Sequence, residues 1–281
     1  MSDYKLIGDG SVELGEKCTL GEGVTFIINS PSKIIINDYV TIGDNVKFVV
    51  DAGDVYIDDC STLHSNILIM STKGVHISEH CWFGQNTVLD GTGGLYIGRG
   101  VRVGMYSQVW THVAAGEQIE GCTLYGESPV KINNDAWLVG SCTVSSGVTI
   151  GEKAICMNGS NITKNVRANS VVMGTPAKER ENLAFYKHLD LAEKFSLLEI
   201  WLRSFCEFND CDLEINNDCI SIVGSNDQAH FFKTISEYSK IVKESTVSYF
   251  CVENKKYIKS LNSLEGKLIK YLSGNKARFY K

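Results

Sequence analysis

Residues 129–178 carry the pattern that decides the fold, and they read PVKINNDAWLVGSCTVSSGVTIGEKAICMNGSNITKNVRANSVVMGTPAK. Aliphatic or similar residues recur at every sixth position of this stretch, at Ile132, Leu138 and Val144 and again at Ile150, Cys156 and Ile162. A repeat of this kind predicts triangular coils, in which each of three short strands points one residue inward. Stacked coils bury one continuous apolar column, which a single coil does not do alone.

The same spacing continues toward the N-terminus. Further sets lie six residues apart at Leu14 and Leu20, at Ile42 and Phe48, at Ile57, Leu63 and Ile69, at Ile77, Phe83 and Leu89, and at Ile97, Val103 and Val109. Gly, Asn or Asp often follows the inward residue, and these types tolerate the left-handed backbone of a tight corner. A β-sandwich would alternate with a period of two. We therefore predict a parallel β-helix, whose hand the spacing alone leaves open.

Composition excludes several classes of protein. The 281 residues carry a formal net charge of −6, which argues against a nucleic-acid partner held by bulk electrostatics. Residues 1–4 lack the apolar segment of a signal peptide, and no apolar run approaches the ~20 residues that span a bilayer. The 10 cysteines form no C-x-x-C pair, so we expect free thiols. These observations predict a cytoplasmic protein without a transmembrane segment.

Residues 129–178 closely resemble the closing coils of the hexapeptide-repeat acetyltransferases, such as the galactoside, maltose and virginiamycin enzymes. The periodic coils extend the likeness over roughly residues 10–180. The resemblance implies a left-handed helix, a homotrimer with active sites between neighbouring subunits, and acetyl-CoA as cosubstrate. The chain departs from the family's usual sequence pattern at Val139, where a glycine is typical, and at Arg167 and Ala168, which replace prolines.

One histidine has the position of a catalytic base. Transfer of an acetyl group to an alcohol needs a base for the hydroxyl proton and a donor for the developing oxyanion. His112 follows the inward Val109 where the repeat breaks, and the next inward residue is Ile132, so residues 113–128 are predicted to form an extended loop. The catalytic histidine of the resembling enzymes occupies this place. The resemblance therefore implies that His112 is the general base and that a backbone N–H near Gly140 holds the oxyanion.

Other site residues follow from the same resemblance. It implies acetyl-CoA binding by residues of the last coils and the segment after them: Trp137, Gly140, Ser141, Asn158, Thr163, Lys164, Lys178 and Arg180. Basic side chains among these suit the phosphates of CoA. A carbohydrate acceptor is expected to contact Asn86, Asp90 and Trp110, although corner hydrogen bonding is the alternative role of Asn86.

The composition changes after Thr175-Pro176-Ala177, so we predict a β-helix domain over 1–178 and a smaller α+β domain over 179–281. The second domain is predicted to contain a helix over 182–208, strands over 219–223 and 246–252, and helical pieces over 231–242 and 264–272. It carries no recognisable catalytic motif. A packing role is one reading; binding of a polymeric acceptor or docking to a polysaccharide-synthesis assembly is the other.

The resemblance implies an acetyl-CoA-dependent O-acetyltransferase for a sugar hydroxyl of a cell-surface polysaccharide, such as a capsule or O-antigen, or of its precursor. An N-acetyltransferase for an amino-sugar nucleotide, an antibiotic-modifying enzyme and a non-enzymatic scaffold are alternatives. A zinc carbonic anhydrase built on His64, His76 and His112 is disfavoured, because position 117 is Glu117 where those enzymes carry a further histidine. We expect no metal.

Overall fold

The computed structural model describes residues 4–114, 116–240, 244 and 246–281. The chain divides into two compact units, Met1–Phe185 and Tyr186–Lys281, and each is described by itself. Among the described residues no helix is both long and apolar enough to cross a membrane.

The first unit consists of short strands joined by tight corners. In its described part they are β1 Lys5–Gly8, β2 Ser11–Leu14, β3 Thr19–Leu20, β4 Thr25–Ile28, β5 Lys33–Ile36, β6 Thr41–Ile42, β7 Lys47–Val50, β8 Val55–Ile57, β9 Thr62–Leu63, β10 Leu68–Ser71, β11 Val75–Ile77, β12 Trp82–Phe83, β13 Val88–Gly91, β14 Leu95–Ile97, β15 Arg102–Val103, β16 Gln108–Val109, β17 His112–Ala114, β18 Tyr125–Glu127, β19 Val130–Ile132, β20 Trp137–Leu138, β21 Thr143–Val144, β22 Thr149–Ile150, β23 Ile155–Cys156, β24 Asn161–Ile162, β25 Val171–Met173 and β26 Lys178–Glu179.

These strands form three parallel sheets, which are the three faces of a β-helix. Face 1 contains β1, β4, β7, β10, β13, β16, β21 and β24, and face 2 contains β2, β5, β8, β11, β14, β19 and β22. Face 3 runs from β3 through β6, β9, β12, β15, β20, β23 and β25 to β26. Only β26 runs antiparallel to its neighbour, β25, among the strands described in these faces. Each coil thus visits the three faces in turn, and the predicted β-helix is confirmed.

The inward residues form one apolar column. Along face 2 the residues Leu14, Ile36, Ile57, Ile77, Ile97, Ile132 and Ile150 lie in register. From Ile36 onward each of them is at most 2% exposed. Corner residues such as Asn66 and His80 have positive φ values of 61° and 58°, which turn the chain sharply from one face to the next. The six-residue pattern therefore identified the buried column.

Coil length is less uniform than the sequence suggests. Successive steps along that column are 22, 21, 20, 20, 35 and 18 residues. The step of 35 contains the insertion that was predicted as an extended loop. It is instead an antiparallel hairpin of β17 and β18, with a 3₁₀ turn at Gln118–Glu120; Ala115 lies outside the described residues.

The second unit is a five-stranded sheet with helices. Its elements in the described part are α1 Leu191–Asn209, β27 Asp212–Ile215, β28 Cys219–Val223, β29 Gln228–Phe232, α2 Ile235–Ser239, β30 Val247–Cys251, β31 Tyr257–Ile258 and α3 Ser263–Leu272. The strand order is β27-β28-β29-β30-β31, with β29 and β30 parallel and the other neighbours antiparallel. The predicted strands at 219–223 and 246–252 and the helix at 264–272 are present.

Two predicted helix boundaries are wrong. The long helix begins at Leu191 and not at Asn182, because Asp190 accepts a hydrogen bond from the backbone N–H of Glu193 and the Glu193 side chain accepts one from the N–H of Asp190. This capping box fixes the first turn nine residues later than apolar spacing alone implied. Asn182 itself has a φ of 61°, which is outside the helical region.

The helical piece predicted over 231–242 is shorter than expected, and its first two residues belong to strand β29. Residues 228–232 pair with β28 on one side and with β30 on the other, and buried and less buried side chains alternate along them. A helix follows only over Ile235–Ser239, where the Thr234 side chain caps its start. Ile241 and Val242 lie outside the described residues.

Candidate functional site

His112 lies where face 1 ends and the hairpin begins, as the first residue of β17. Its Nδ1 atom is 2.7 Å from Oδ2 of Asp90. The His112 side chain is 34% exposed, whereas the Asp90 side chain is fully buried at 0%. A partly exposed imidazole is thus anchored on a fully buried carboxylate.

The Asp90 carboxylate is held by a dense set of donors. Its Oδ1 atom accepts hydrogen bonds from the backbone N–H and the hydroxyl of Thr92, at 3.0 and 2.6 Å. Its Oδ2 atom accepts from the backbone N–H and the hydroxyl of Thr111, at 2.7 and 2.9 Å, and from His112. Burial acts to raise the pKa of Asp90, but hydrogen bonds from Thr92, Thr111 and His112 outweigh it and the pKa is lowered. The carboxylate is therefore ionised at neutral pH.

This environment assigns the histidine tautomer. An ionised carboxylate only accepts hydrogen bonds, so the Nδ1 atom of His112 carries the proton that lies between the two side chains. In the neutral imidazole the Nε2 atom then has the lone pair and accepts a proton. The acceptor contact expected for Asp90 does not fit its surroundings, because the side chain is buried and both oxygens are occupied.

Several further site residues share the edge of face 1 at which His112 lies. The backbone N–H of Trp110 bonds to Val144 and that of Ser145 to Ile162, which places Asp90, Trp110, Ser145 and Thr163 at equivalent positions of successive coils. Lys164 follows Thr163, and both side chains are exposed. The Trp110 ring meets the His112 ring edge to face at 6.0 Å and 76°. We call this group, Asp90, Trp110, His112, Thr163 and Lys164, the His112 edge.

A second group lies at the opposite edge of face 1, where the chain arrives from face 3. Asn86, Gly140, Ser141 and Asn158 occupy this corner in their respective coils, and Lys178 pairs with Met173 at the end of face 3. The Gly140 carbonyl accepts a hydrogen bond from the N–H of Gly159 at 2.9 Å. A Cβ on Gly140 would lie 3.0 Å from Oδ1 of Asn158, so a side chain here would crowd the corner. We call this group the Gly140 edge.

The two remaining cofactor candidates lie on face 3. Trp137 points outward from β20 and is 44% exposed. Arg180 is exposed, and its backbone N–H donates to the carbonyl of Val171 at 2.8 Å. The predicted site residues therefore lie mainly in two groups on either side of face 1, while Trp137 and Arg180 lie on face 3 outside both groups.

Sequence reasoning missed Thr92 and Thr111, which hold Asp90 in place. Thr111 is adjacent to His112 and Thr92 follows Asp90 by two residues, so proximity to the candidate site residues was the available signal. Exposed Met105 and Tyr106 at the Gly140 edge were also missed. Met105 is tied to this corner because its carbonyl accepts the N–H of Ser141 at 2.8 Å.

The histidines of the metal alternative have other neighbours. His64 stacks edge to face on Trp82 at 4.9 Å, and His76 is 3.2 Å from Oδ2 of Asp58. Within residues 4–114, 116–240, 244 and 246–281, no three His, Cys, Asp or Glu side chains are grouped to hold a metal ion.

Comparison with known proteins finds solved structures with a similar fold. No family model matches the chain. The polySia-specific acetyltransferase NeuO is similar with a TM-score of 0.56 and 18% identity, over 68% of this chain and 91% of that one. Lower likeness is found to the N-acyltransferase AntD from Bacillus cereus (TM-score 0.44, 17% identity, 59% and 91% covered) and to a maltose O-acetyltransferase from Clostridium difficile 630 (0.31, 19%, 54% and 71%).

Because their TM-scores are below 0.5, the last two proteins support no conclusion about this chain. At 18% identity the likeness to NeuO shows a shared fold alone. The predicted fold class, a mainly β protein with a left-handed parallel β-helix, is confirmed.

Proposed function

We propose that this chain is an acetyl-CoA-dependent O-acetyltransferase that acts on a sugar hydroxyl. The observation that carries the proposal is the pairing of partly exposed His112 with the buried, ionised Asp90 carboxylate. A fixed imidazole with its Nε2 lone pair toward solvent is the arrangement that a general base requires. Asp90 acts as a positioning residue, because it holds the ring and its tautomer without reaching the substrate.

The reaction follows from this geometry. The Nε2 atom of His112 takes the proton of the acceptor hydroxyl, and the hydroxyl oxygen forms a bond to the acetyl carbon of the thioester. The carbon–sulfur bond then breaks, and the imidazolium returns its proton to the departing thiolate. The products are an acetyl ester and CoA. Trp110, whose ring lies beside His112, offers a surface on which the sugar stacks, and Asn86 offers a polar contact to it.

Acetyl-CoA binding is assigned to the exposed groups of the last coils and of the segment that follows them. Lys164, Lys178 and Arg180 supply positive charge for the phosphates, and Trp137 supplies an exposed aromatic face. At the Gly140 edge, Gly140 has no side chain beside Ser141 and Asn158, which leaves room for a backbone N–H near Gly140 to approach the thioester. Thr163 completes the proposed set.

The division of these residues between two edges supports a homotrimer. His112 and Gly140 lie at opposite edges of face 1 in one copy. A site that uses both brings the His112 edge of one copy to the Gly140 edge of its neighbour. This agrees with the intersubunit sites that the sequence resemblance implies.

We further propose a cell-surface polysaccharide or its precursor as the acceptor, with the reaction in the cytoplasm. All 10 cysteines are free thiols, as is usual in a reducing compartment. The likeness in fold to an acetyltransferase that is specific for polySia supports a polymeric acceptor. Docking of the second unit to a polysaccharide-synthesis assembly remains part of this proposal.

Release of free thiol from acetyl-CoA, measured with a panel of oligosaccharide and amino-sugar acceptors, tests the function. We expect acceptor-dependent release that falls about 10²–10⁴-fold in kcat for His112→Ala. Asp90→Asn is expected to lower kcat and alter the pH profile while leaving the KM for acetyl-CoA unchanged.

His76→Ala is the matched control, because His76 is also paired with an aspartate but lies on face 2. Acceptor-dependent release that survives His112→Ala would refute the assigned base. Transfer to amines in preference to hydroxyls would favour the N-acetyltransferase. Failure to bind acetyl-CoA would favour the non-enzymatic scaffold over both transferases.

A further inference from the structure

The C-terminal segment of the second unit is strongly basic, although the chain as a whole has a net charge of −6. Residues 254–281 contain eight basic side chains, Lys255, Lys256, Lys259, Lys267, Lys270, Lys276, Arg278 and Lys281. Their one acidic residue is Glu265, which is fully buried and accepts hydrogen bonds from Ser248 and Ser260. The surface charge of this segment is therefore positive.

Part of this charge surrounds an apolar cleft within the second unit. The cleft lies between α1 and the segments around β31 and the C-terminus, and it is lined by Leu189, Lys194, Leu197, Leu198, Trp201, Val252, Lys255, Lys276, Ala277 and Phe279. Three of these lining residues are lysines and none is acidic. Its volume of about 120 Å³ is below the range of closed small-molecule pockets, which is roughly 300–1,000 Å³. An occupant therefore lies across the cleft with only part of itself inside.

The walls of the cleft are ordered by the helix and by aromatic rings. Lys194 and Trp201 are seven residues apart on α1, which places them on the same side of the helix. The Lys255 ammonium lies 4.8 Å from the centre of the Phe279 ring, and the Lys276 ammonium lies 4.2 Å from the centre of the Tyr271 ring. These cation–π contacts hold two positive charges at the rim beside a half-buried tryptophan.

We propose that this cleft binds a carboxylate-bearing sugar of the acceptor polymer, as a second saccharide site separate from the acetyl-transfer site. The inference rests on the proposed function, since it identifies the acceptor as an acidic polysaccharide. The apolar C–H face of a sugar ring stacks on the negative face of an indole, while carboxylates pair with the lysines. A bare inorganic anion uses the lysines but gains nothing from Trp201 or the apolar floor.

The test is calorimetric binding of oligogalacturonate and of oligosialic acid to the full chain without acetyl-CoA. Methyl-esterified oligogalacturonate is the matched neutral probe, because it keeps the sugar backbone and loses the charges. We expect binding of the acidic oligomers that weakens as salt is added, and little binding of the ester. The double variant Lys255→Gln/Lys276→Gln is expected to weaken binding about three- to tenfold.

Two further variants keep the result interpretable. Lys270→Gln removes one positive charge from an exposed position on α3 outside the cleft, and it is expected to bind like the unmodified protein. Lys194→Gln changes an exposed lining residue, so it tests the cleft without a threat to folding. Acetyl transfer to a monosaccharide should be unaffected in all of these variants.

Equal binding of the acidic and esterified oligomers, or no binding of either acidic oligomer, would overturn the acidic-sugar site. So would equal losses in Lys270→Gln and the double variant, or binding of inorganic phosphate or CoA as tight as that of the oligomers. Persistent acetyl transfer to neutral acceptors in those cases would leave the proposed function standing. Binding of the acidic oligomers without any acetyl transfer would support the acidic-sugar site and contradict the proposed acetyltransferase function.

Discussion

At the scale of single residues, the candidate site depends on a contact between residues 22 positions apart. His112 was identified from the break in the repeat and the family resemblance, and Asp90 was identified as a site residue with a different role. The sequence did not reveal their pairing, because it depends on which coil position each side chain takes and on whether that side chain is buried. Asp90 and Trp110 occupy equivalent positions, yet Asp90 is buried and Trp110 is partly exposed.

The lowered pKa of Asp90 predicts a pH-dependent contribution to stability. The folded-state value lies below the ordinary value of 3.8, so folding favours the ionised carboxylate. This stabilisation is present above the unfolded-state pKa and is lost as the pH falls through the folded-state pKa. Asp90→Asn also leaves buried donors poorly paired, at a cost of about 1–3 kcal/mol for each unsatisfied group.

We therefore expect Asp90→Asn to lower the free energy of unfolding at pH 7, and this deficit to shrink as the pH is lowered below about 4. Urea denaturation of both proteins across this range measures the difference. Glu120→Gln changes an exposed acid on the 3₁₀ turn and should show no comparable trend. A deficit independent of pH would mean that the ionised form of Asp90 is not what the fold favours.

At the scale of elements, prediction succeeded where one residue type repeats at a fixed interval. The inward residues of the coils were found because each position is buried by the coils above and below it. The start of α1 was missed because a capping box at Asp190 decides it, while apolar spacing extends beyond the cap. Strand β29 was missed because its last residues were included in a predicted helix, and its place between β28 and β30 depends on pairing that spacing along the chain does not show.

Neighbouring residues of one strand should differ sharply in their effect on stability. Ile132 points inward from β19 and is 1% exposed, whereas the adjacent Lys131 points outward. Ile132→Ala is expected to cost about 2–5 kcal/mol, because it removes buried contacts and leaves a cavity in the column. Lys131→Ala should stay within about 0.5 kcal/mol of the unmodified protein.

Thermal and urea unfolding of the two variants gives the comparison. Lys131→Ala serves as the control, since it truncates a side chain on the same strand and the same coil. Similar losses in both would contradict the assignment of inward and outward positions after the hairpin, where the repeat resumes.

At the scale of the whole molecule, the sequence predicted which residues belong to the site but not that they lie at two opposite edges of face 1. Asn86 and Asp90 are four positions apart, yet they lie at opposite edges of face 1, as do Asn158 and Thr163. Nearness in sequence is misleading in a β-helix because a few residues carry the chain across a whole face. Only the stacking of coils shows that residues 86, 140 and 158 form one group and residues 90, 110 and 163 another.

This separation makes a mixing experiment decisive for the proposed trimer. His112→Ala removes the base from one edge, and Gly140→Val blocks the other by placing a side chain against Asn158. Each variant alone is expected to be inactive. When equal amounts are unfolded and refolded together, a site between neighbours pairs an intact His112 with an intact Gly140 in about a quarter of all positions of a closed ring.

Thiol release should therefore recover to about a quarter of the unmodified level in the mixture, and light scattering should report three times the chain mass. Each variant refolded alone is the control for misfolding and for reversal of the defect. If the site were contained within one copy, no mixture would restore it, since every chain would lack one of the two groups. Trimers that recover no activity would thus support the trimeric assembly and contradict a site shared between subunits. Recovered activity would require that His112 and Gly140 act across a subunit boundary.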